Sequence, residues 1–244
     1  MGTEDPAARA AWTLHGSINL VDRFKIGTVG PALPGIGIRI ADDGEVLVKG
    51  IDVFAGYWKN EKATQEAFTS DGWFKTGDLG AIDEDGYLSI TGRKKEIIVT
   101  AGGKNVAPAA LEDPIRANPI ISQVIVVGEQ KPFIAALVTL DPEMLPAWLK
   151  NCGEDPTQTL AEASVNPVVV AEVQKAVDAA NKGVSRAESI RKFQILATDL
   201  TEASGHLTPK MSIKRNIIVE DFADVIEGIY SGTPAETEGV SIQH

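Results

Sequence analysis

A carboxylate that follows a glycine-containing segment is the first feature of the chain that suggests ligand chemistry. Residues 71–78 read DGWFKTGD, so Asp78 directly follows a glycine. A glycine lets a ligand approach the backbone closely, and a carboxylate can accept hydrogen bonds from both hydroxyls of a ribose. We expect Asp78 to lie at the end of a strand. An aspartate after Thr-Gly is also a common turn residue, so this segment alone leaves both interpretations open.

A basic cluster and a glycine-rich loop follow shortly afterwards. Residues 91–96 read TGRKKE, and residues 100–105 read TAGGKN. Basic side chains bind phosphates, and backbone N–H groups beside glycines can bind anions. The two segments could therefore hold a phosphate-bearing or thiol-bearing ligand, although a solvated turn between strands has the same composition.

Composition restricts the classes of partner. The chain has 244 residues, with 34 acidic against 23 basic side chains and a net charge of -11, so nucleic acid is not an expected partner. Cys152 is the single cysteine, which we interpret as an inert thiol in a reducing, cytoplasmic compartment. No metal site is expected, because no cysteines or histidines stand at metal-ligand spacing. No apolar run reaches the roughly 18 residues that span a bilayer, so no transmembrane segment is expected; peripheral membrane contact stays open.

The elements that must position these residues indicate an α+β protein with two parts. Residues 1–26 show no clear period and are predicted to be a poorly ordered leader. Residues 27–92 contain short apolar runs separated by Gly, Asp and Pro, which is typical of a small antiparallel sheet or barrel. One helix is predicted to interrupt this sheet, with Asn60 as its N-cap and Phe68 near its end.

The second predicted part covers residues 93–230. Pro108 is placed to open a helix, and Asn166 followed by Pro167 is placed to open a long amphipathic one through Val184. The other elements predicted in this part are strands over residues 124–127, 134–140 and 193–196 and a last helix over residues 222–230. Residues 231–244 are small and polar and are predicted to form a flexible tail.

Together, these motifs resemble the adenylate-forming superfamily, which includes acyl-CoA synthetases, peptide-synthetase adenylation domains and insect-type luciferases. The resemblance covers about residues 27–230, and its first motifs read GTVGP over residues 27–31 and GEVLVKG over residues 44–50. It continues through DGWFKTGD. The sequences GRKKE over residues 92–96 and GKNVAP over residues 103–108 are most similar to long-chain fatty acid CoA ligases.

The resemblance implies a reaction and assigns roles to single residues. A fatty acid would be activated by ATP to acyl-AMP, and CoA would then displace AMP, with Mg²⁺ bridging phosphate oxygens. Asp78 would bind the ribose hydroxyls and Arg93 would also contact the nucleotide. Lys95 would be the hinge between two orientations of a C-terminal lid, with a surface charge as its alternative role. Gly102 would line the pantetheine tunnel.

The catalytic lysine of this family is expected near the C-terminus, and here the sequence departs from the family pattern. Residues 207–215 read LTPKMSIKR, which places Ser212 where the first lysine of the long-chain pattern is expected. A serine cannot supply a positive charge. The candidates are therefore Lys214 and Lys210, which would share one face with Ser212 if this segment were extended.

The resemblance also implies that parts of the machinery lie elsewhere. The phosphate-binding loop, the fatty-acid tunnel and the Mg²⁺ ligands belong to a large N-terminal domain in this family, so the chain alone is expected to be inactive. Two alternatives stay open. One is another adenylate-forming enzyme, such as a shorter-chain CoA ligase or a carrier-protein loading enzyme. The other is a non-catalytic module that retains the fold.

Overall fold

The computed structural model describes residues 16–21 and 23–231. The chain divides into two compact units, with the boundary between Ile97 and Ile98. Within the predicted leader, the N–H of Ile18 donates to the carbonyl of Pro31 at 3.3 Å. Residues 1–15 and residue 22 of the leader, and the predicted tail beyond residue 231, lie outside the described residues.

An antiparallel sheet of five strands forms the first unit, in the spatial order β1-β5-β4-β3-β2. The strands are β1 (Gly30–Pro31), β2 (Ile36–Ile40), β3 (Glu45–Gly50), β4 (Phe74–Ile82) and β5 (Tyr87–Arg93). Val46, Val48 and Leu88 form a small apolar core, and each of them is buried. The sheet has the antiparallel pairing that its short apolar runs predicted.

The one regular helix in the described part of this unit is α1 (Glu61–Ala67). The Asn60 side chain accepts a hydrogen bond from the N–H of Ala63 at 3.0 Å, which satisfies one of the free donors at the helix start. Phe68 has extended backbone and ends the helix. Its ring packs against Phe74, with centroids 5.5 Å apart. The predicted helix is therefore present and capped as expected.

Three strands form the main sheet of the second unit, in the order β10-β9-β8. They are β8 (Ile121–Val127), β9 (Ile134–Leu140) and β10 (Ile190–Ile195), and β6 (Ile98–Val99) pairs with β7 (Asn105–Val106) beside them. β8 pairs antiparallel to β9, whereas β10 pairs parallel to β9. This mixed sheet, together with the first unit, confirms the α+β fold class.

Helices cover both faces of this sheet, which explains why all seven residues of β9 are buried. The helices are α2 (Ala109–Arg116), α3 (Leu145–Asn151), α4 (Leu160–Val165), α5 (Pro167–Asn181), α6 (Arg215–Asp221) and α7 (Ala223–Ser231). Alternate residues of a strand point to opposite faces. Ala136 and Val138 accordingly share a core with the helices α2 and α5, and Leu137 shares a core with α6 and α7.

Some of the helices differ from the prediction. The final helix, expected over residues 222–230, is present as α7 with each end one residue later, and α6, which Phe222 separates from it, was not predicted. α5 begins at Pro167 as predicted and ends at Asn181 rather than Val184. The Asn181 side chain bonds both the N–H and the carbonyl of Ile190, so it joins the end of α5 to the start of β10. The short helices α3 and α4 were not predicted.

Candidate functional site

Asp78 lies inside a strand and not at its end, which corrects the expectation from the sequence. It is the fifth residue of β4, and its backbone pairs with Arg93 in β5. The sequence prediction ended the strand at Asp78 because Thr-Gly-Asp is also typical of a turn. In the structure these two residues continue the strand through a bulge.

The bulge results from extra residues in β4. Glu45 pairs with Leu79 and Leu47 pairs with Lys75, so a single residue of β3 lies opposite three residues of β4. Gly77 is one of these three, and its φ of 75° favours glycine. A bulge bends the strand and redirects its side chains, and bulges are over-represented next to functional sites.

Side chains replace the strand hydrogen bonds that the bulge interrupts. The buried Thr76 hydroxyl donates to the carbonyl of Val46 at 2.8 Å and accepts from the N–H of Asp78 at 3.0 Å. The N–H of Gly77 donates to Oε1 of Glu45 at 3.0 Å. The backbone around Asp78 is therefore held by two side chains as well as by the sheet.

The Asp78 carboxylate is buried, with its side chain 1% exposed, and only one of its oxygens has a partner. Nε of Arg93 lies 2.8 Å from Oδ1, whereas Oδ2 has no hydrogen-bond partner among the described residues. Burial raises the pKa of the Asp78 carboxyl; the Arg93 guanidinium opposes this rise, and the Glu45 and Glu96 carboxylates add to it. A buried oxygen without a partner is costly, and a ligand hydroxyl could satisfy it once the groups that cover it move.

The basic cluster after Arg93 forms a short 3-10 turn over Lys94–Glu96. Lys94 Nζ contacts Asp43 at 2.6 Å and Glu45 at 2.8 Å. Lys95 is exposed and has no ion-pair partner in the part of the chain that the structure describes. It precedes the boundary between the two units by two residues, which is compatible with its predicted role as a hinge.

Most N–H groups of the glycine-rich loop in the second unit already donate to acceptors within the protein. The N–H of Ala101 donates to Lys131, and that of Gly103 donates to Thr100. Gly103 has a φ of 75°, so the backbone itself favours glycine there. A Cβ added to Gly102 would meet only the Thr100 hydroxyl, at 3.9 Å. The loop therefore leaves open space at Gly102, and any need for glycine at this position would come from a ligand.

The segment with the candidate lysines is a tight turn and not an extended strand. Leu207 and Ile213 form a β-bridge, the N–H of Thr208 donates to the carbonyl of Ser212, and Met211 has a φ of 61°. The expectation that Lys210 and Lys214 share one face of an extended segment is therefore not met, because the turn reverses the chain between them.

Lys210 and Lys214 differ in their surroundings. Lys210 is exposed in the turn, whereas Lys214 is half-buried at the start of α6, and its N–H donates to the carbonyl of His206 at 2.8 Å. Neither ammonium has an ion-pair partner among residues 16–21 and 23–231, so both are available to a ligand. The Ser212 side chain is exposed.

Two groups beside this turn were not identified from the sequence. The His206 ring lies between the hydroxyl of Ser204, at 2.8 Å from Nδ1, and Oδ2 of Asp221, at 2.9 Å from Nε2. Arg215 pairs with the buried Glu112 through two contacts of 2.8 and 2.9 Å. Asp221 is 15 residues from His206 and Glu112 is 103 residues from Arg215, so no local spacing could have indicated these two contacts.

The described residues show neither a metal centre nor a membrane span. Between residues 16 and 231, leaving out residue 22, no three or more His, Cys, Asp and Glu side chains come together in a way that could hold a metal ion. The residues in these described ranges therefore do not fit a Mg²⁺ site. Across the same residues, no helix is both long and apolar enough to cross a bilayer.

Comparisons with known proteins agree with these motifs. The long-chain-fatty-acid–CoA ligase FadD15 of Mycobacterium tuberculosis is 59% identical over 215 residues, which cover 88% of this chain and 36% of that protein. The long-chain-fatty-acid–CoA ligase ACSBG2 of Xenopus laevis is 33% identical, over 90% of this chain and 33% of that protein. The chain thus spans about a third of the length of these relatives.

Solved structures show the same fold. ATP-bound MatB from Rhodopseudomonas palustris matches with a TM-score of 0.57 and 30% identity, over 84% of this chain and 37% of that one. The A-PCP didomain of a carboxylic acid reductase from Segniliparus rugosus, in complex with AMP, matches with a TM-score of 0.63, 84% of this chain and 28% of that one. At 22% identity, the second likeness shows the fold alone.

The family model described as the AMP-binding enzyme C-terminal domain matches residues 95–234, which is more than half of the 244 residues. The match begins at the predicted hinge residue Lys95 and includes the turn that carries Lys210 and Lys214. The chain belongs to the family of AMP-binding enzyme C-terminal domains.

Proposed function

We propose that this chain is the C-terminal part of an ATP-dependent long-chain fatty acid CoA ligase. The observation that carries the proposal is the buried Asp78 carboxylate, which is paired with Arg93 through one oxygen and unpaired at the other. An acceptor of this kind suits a ribose hydroxyl, and Arg93 suits the anionic part of a nucleotide. The similarity to FadD15, named as a long-chain-fatty-acid–CoA ligase, supports the choice of substrate.

In the proposed reaction the fatty acid carboxylate attacks the α-phosphate of ATP, which releases pyrophosphate, and the CoA thiol then displaces AMP from the acyl-AMP. Asp78 and Arg93 orient the nucleotide. Lys214 or Lys210 stabilises negative charge on the carboxylate and phosphate oxygens during adenylation. Mg²⁺ is part of this chemistry in the proposal, and its ligands would belong to the large N-terminal domain that the family resemblance implies, because the described residues do not fit a metal site.

The thioester step concerns the second unit. CoA is proposed to pass Gly102, where a side chain would enter the open space that the loop leaves. Lys95 is proposed as the hinge about which the C-terminal lid, residues 93–230, changes orientation between the two half-reactions. The single exposed cysteine suits a reducing cytoplasm, and this is the proposed location.

The test uses the full-length protein and its Asp78→Asn variant. The wild-type protein should catalyse pyrophosphate exchange with long-chain fatty acids and bind AMP, and Asp78→Asn should weaken AMP binding by about tenfold or more, because it removes a charged acceptor. Exchange that is faster with short acids would favour a shorter-chain ligase. Absence of both exchange and AMP binding would favour a non-catalytic module.

A further inference from the structure

Glu45 is a buried acidic side chain at the start of β3, and its two oxygens have different partners. The residue is 5% exposed. Oε1 accepts the N–H of Gly77 at 3.0 Å, and Oε2 lies 2.8 Å from Nζ of Lys94. Gly77 and Lys94 are the chain neighbours of Asp78 and Arg93. One carboxylate therefore binds the backbone beside Asp78 and the side-chain ammonium beside Arg93.

The contact with Gly77 stabilises the bulge that places Asp78. An N–H that the bulge removes from the strand ladder needs another acceptor, and the Glu45 side chain supplies it. The nearby Thr76 hydroxyl does the same for the N–H of Asp78. Without Glu45, the Gly77 peptide would be free to turn, and the Asp78 side chain would turn with it.

The contact with Lys94 holds the 3-10 turn that directly follows β5. Lys94 follows Arg93 directly and is bound by Asp43 and by Glu45, whose carboxylates raise the pKa of the Lys94 ammonium. Asp43 is exposed and does not contact Gly77 or Asp78. Of the two carboxylates that bind Lys94, Glu45 is therefore the one that connects the turn after β5 to the bulge in β4.

Burial also gives this arrangement an electrostatic role. Glu45 carries a negative charge close enough to Asp78 to raise the pKa of the Asp78 carboxyl. The Lys94 ammonium at 2.8 Å compensates the Glu45 charge. Loss of the Glu45 contact to Lys94 would therefore alter the field at the Asp78 carboxylate as well as the geometry of its backbone.

We propose that Glu45 is a positioning residue for nucleotide binding, which fixes the Asp78–Arg93 pair so that the unpaired Asp78 oxygen meets a ribose hydroxyl in a single geometry. This inference rests on the proposed function, since it requires that Asp78 binds the nucleotide. Glu45 itself is not proposed to touch the ligand.

The test compares four variants of the full-length protein: Glu45→Ala, Glu45→Gln, Asp43→Asn and Asp78→Asn. Alanine removes both contacts of Glu45. Glutamine keeps an acceptor for the N–H of Gly77 but removes the negative charge that faces the Lys94 ammonium. AMP affinity is measured by calorimetry, kcat and KM for ATP by pyrophosphate exchange, and folding by the thermal midpoint.

We expect Glu45→Ala to raise the Kd for AMP by about tenfold and KM for ATP in parallel, with a smaller change in kcat, as for lost uniform binding. Glu45→Gln should raise the Kd by about threefold, and Asp43→Asn by less than about twofold. A residue that only stabilised the fold would lower the thermal midpoint without this graded change in the Kd of the folded protein.

The outcomes separate this inference from the proposed function. If Asp78→Asn abolishes AMP binding while folded Glu45→Ala and Glu45→Gln bind like the wild type, the role of Glu45 is refuted and the proposed function stands. If Glu45→Ala does not fold, the comparison of the Kd values for AMP of Glu45→Gln and Asp43→Asn decides whether Glu45 has the proposed role. If the wild type binds no AMP, or if Asp78→Asn binds it normally, both proposals fail.

Discussion

At the scale of single residues, Asp78 is held in a state that disfavours its own charge. Burial raises the pKa of its carboxyl, and the Arg93 guanidinium offsets only part of this rise. At pH values between the ordinary carboxyl pKa and the raised one, the folded protein therefore retains a proton that the unfolded chain releases. The free energy of unfolding should fall as pH rises from the ordinary carboxyl pKa through the raised one, so Asp78 contributes to function at the expense of stability.

The same pKa shift predicts the pH dependence of ligand binding. Adenosine affinity in the full-length protein should fall as pH is lowered through the raised pKa of Asp78, by about tenfold in total, because a charge-assisted hydrogen bond is lost. Adenosine is the suitable probe since it has no phosphate that titrates. Asp78→Asn should bind weakly at every pH, and a wild-type affinity that does not change with pH would contradict the assignment.

The lysine that replaces the expected one can be identified by separate substitutions. Lys210→Ala or Lys214→Ala should slow acyl-AMP formation in the full-length protein by at least about tenfold, ~1.4 kcal/mol of barrier, because an ammonium no longer stabilises the charge that develops. Thioester formation from added acyl-AMP is measured independently and should change less.

Lys182→Ala is a matched control, because Lys182 is also an exposed lysine of the second unit. It should leave both steps unchanged. If neither Lys210→Ala nor Lys214→Ala slows adenylation by tenfold, neither lysine substitutes for the one that Ser212 replaces.

At the scale of elements, the ion pair between the half-buried Arg215 and the buried Glu112 holds α6 against α2 and β8. Glu112 also accepts the N–H of Val126, and Arg215 donates to the carbonyl of Val126 at 3.0 Å. Removing one partner of a buried pair leaves the other uncompensated. Arg215 is the first residue of α6, so this pair also fixes the end of the turn that carries Lys210.

Arg215→Met should lower the free energy of unfolding of the second unit by about 3 kcal/mol, because the buried Glu112 carboxylate loses its counter-charge. Native-state hydrogen exchange of the β9 amides measures this value. Lys175→Met is the control: it breaks the surface pair with Glu172, in which the lysine is 75% exposed, and should change stability by less than about 0.5 kcal/mol. Equal effects of the two variants would contradict the role of the buried pair.

Sequence patterns predicted elements whose cause is local. Asn60 caps α1 and Pro167 begins α5, because caps and first-turn prolines act within a few residues. The bulge at Gly77 could not be predicted, since it depends on the register of β4 against β3. The turn at Met211 was missed for a related reason: alternating residues suggested a strand, and a non-glycine residue with positive φ gives no composition signal.

At the scale of the whole molecule, the chain spans about a third of its relatives and carries two compact units. The described residues supply an acceptor for ribose and several free ammonium groups, but no site that fits a metal. Adenylation depends on electrostatic groups assembled around the phosphates, which are worth orders of magnitude in rate.

The chain by itself should therefore form no acyl-CoA above background. The purified chain is assayed for pyrophosphate exchange and for thioester formation from palmitate, ATP and CoA, beside the full-length protein. Turnover by the chain at a rate close to that of the full-length protein would show that the 244 residues contain a complete active site.

The parallel pairing of β10 with β9 has a consequence for biosynthesis. Ile134 in β9 pairs with Ile190 in β10, which lies 56 positions later in the chain, and the intervening residues include α3, α4 and α5. At about 5–20 residues per second, translation would deliver β10 roughly 3–11 s after β9. During that interval β9, which is apolar except for Thr139, has an unpaired edge in the nascent chain. Ribosome-associated chaperones that recognise apolar strands would therefore be expected to bind this segment of the unfinished protein.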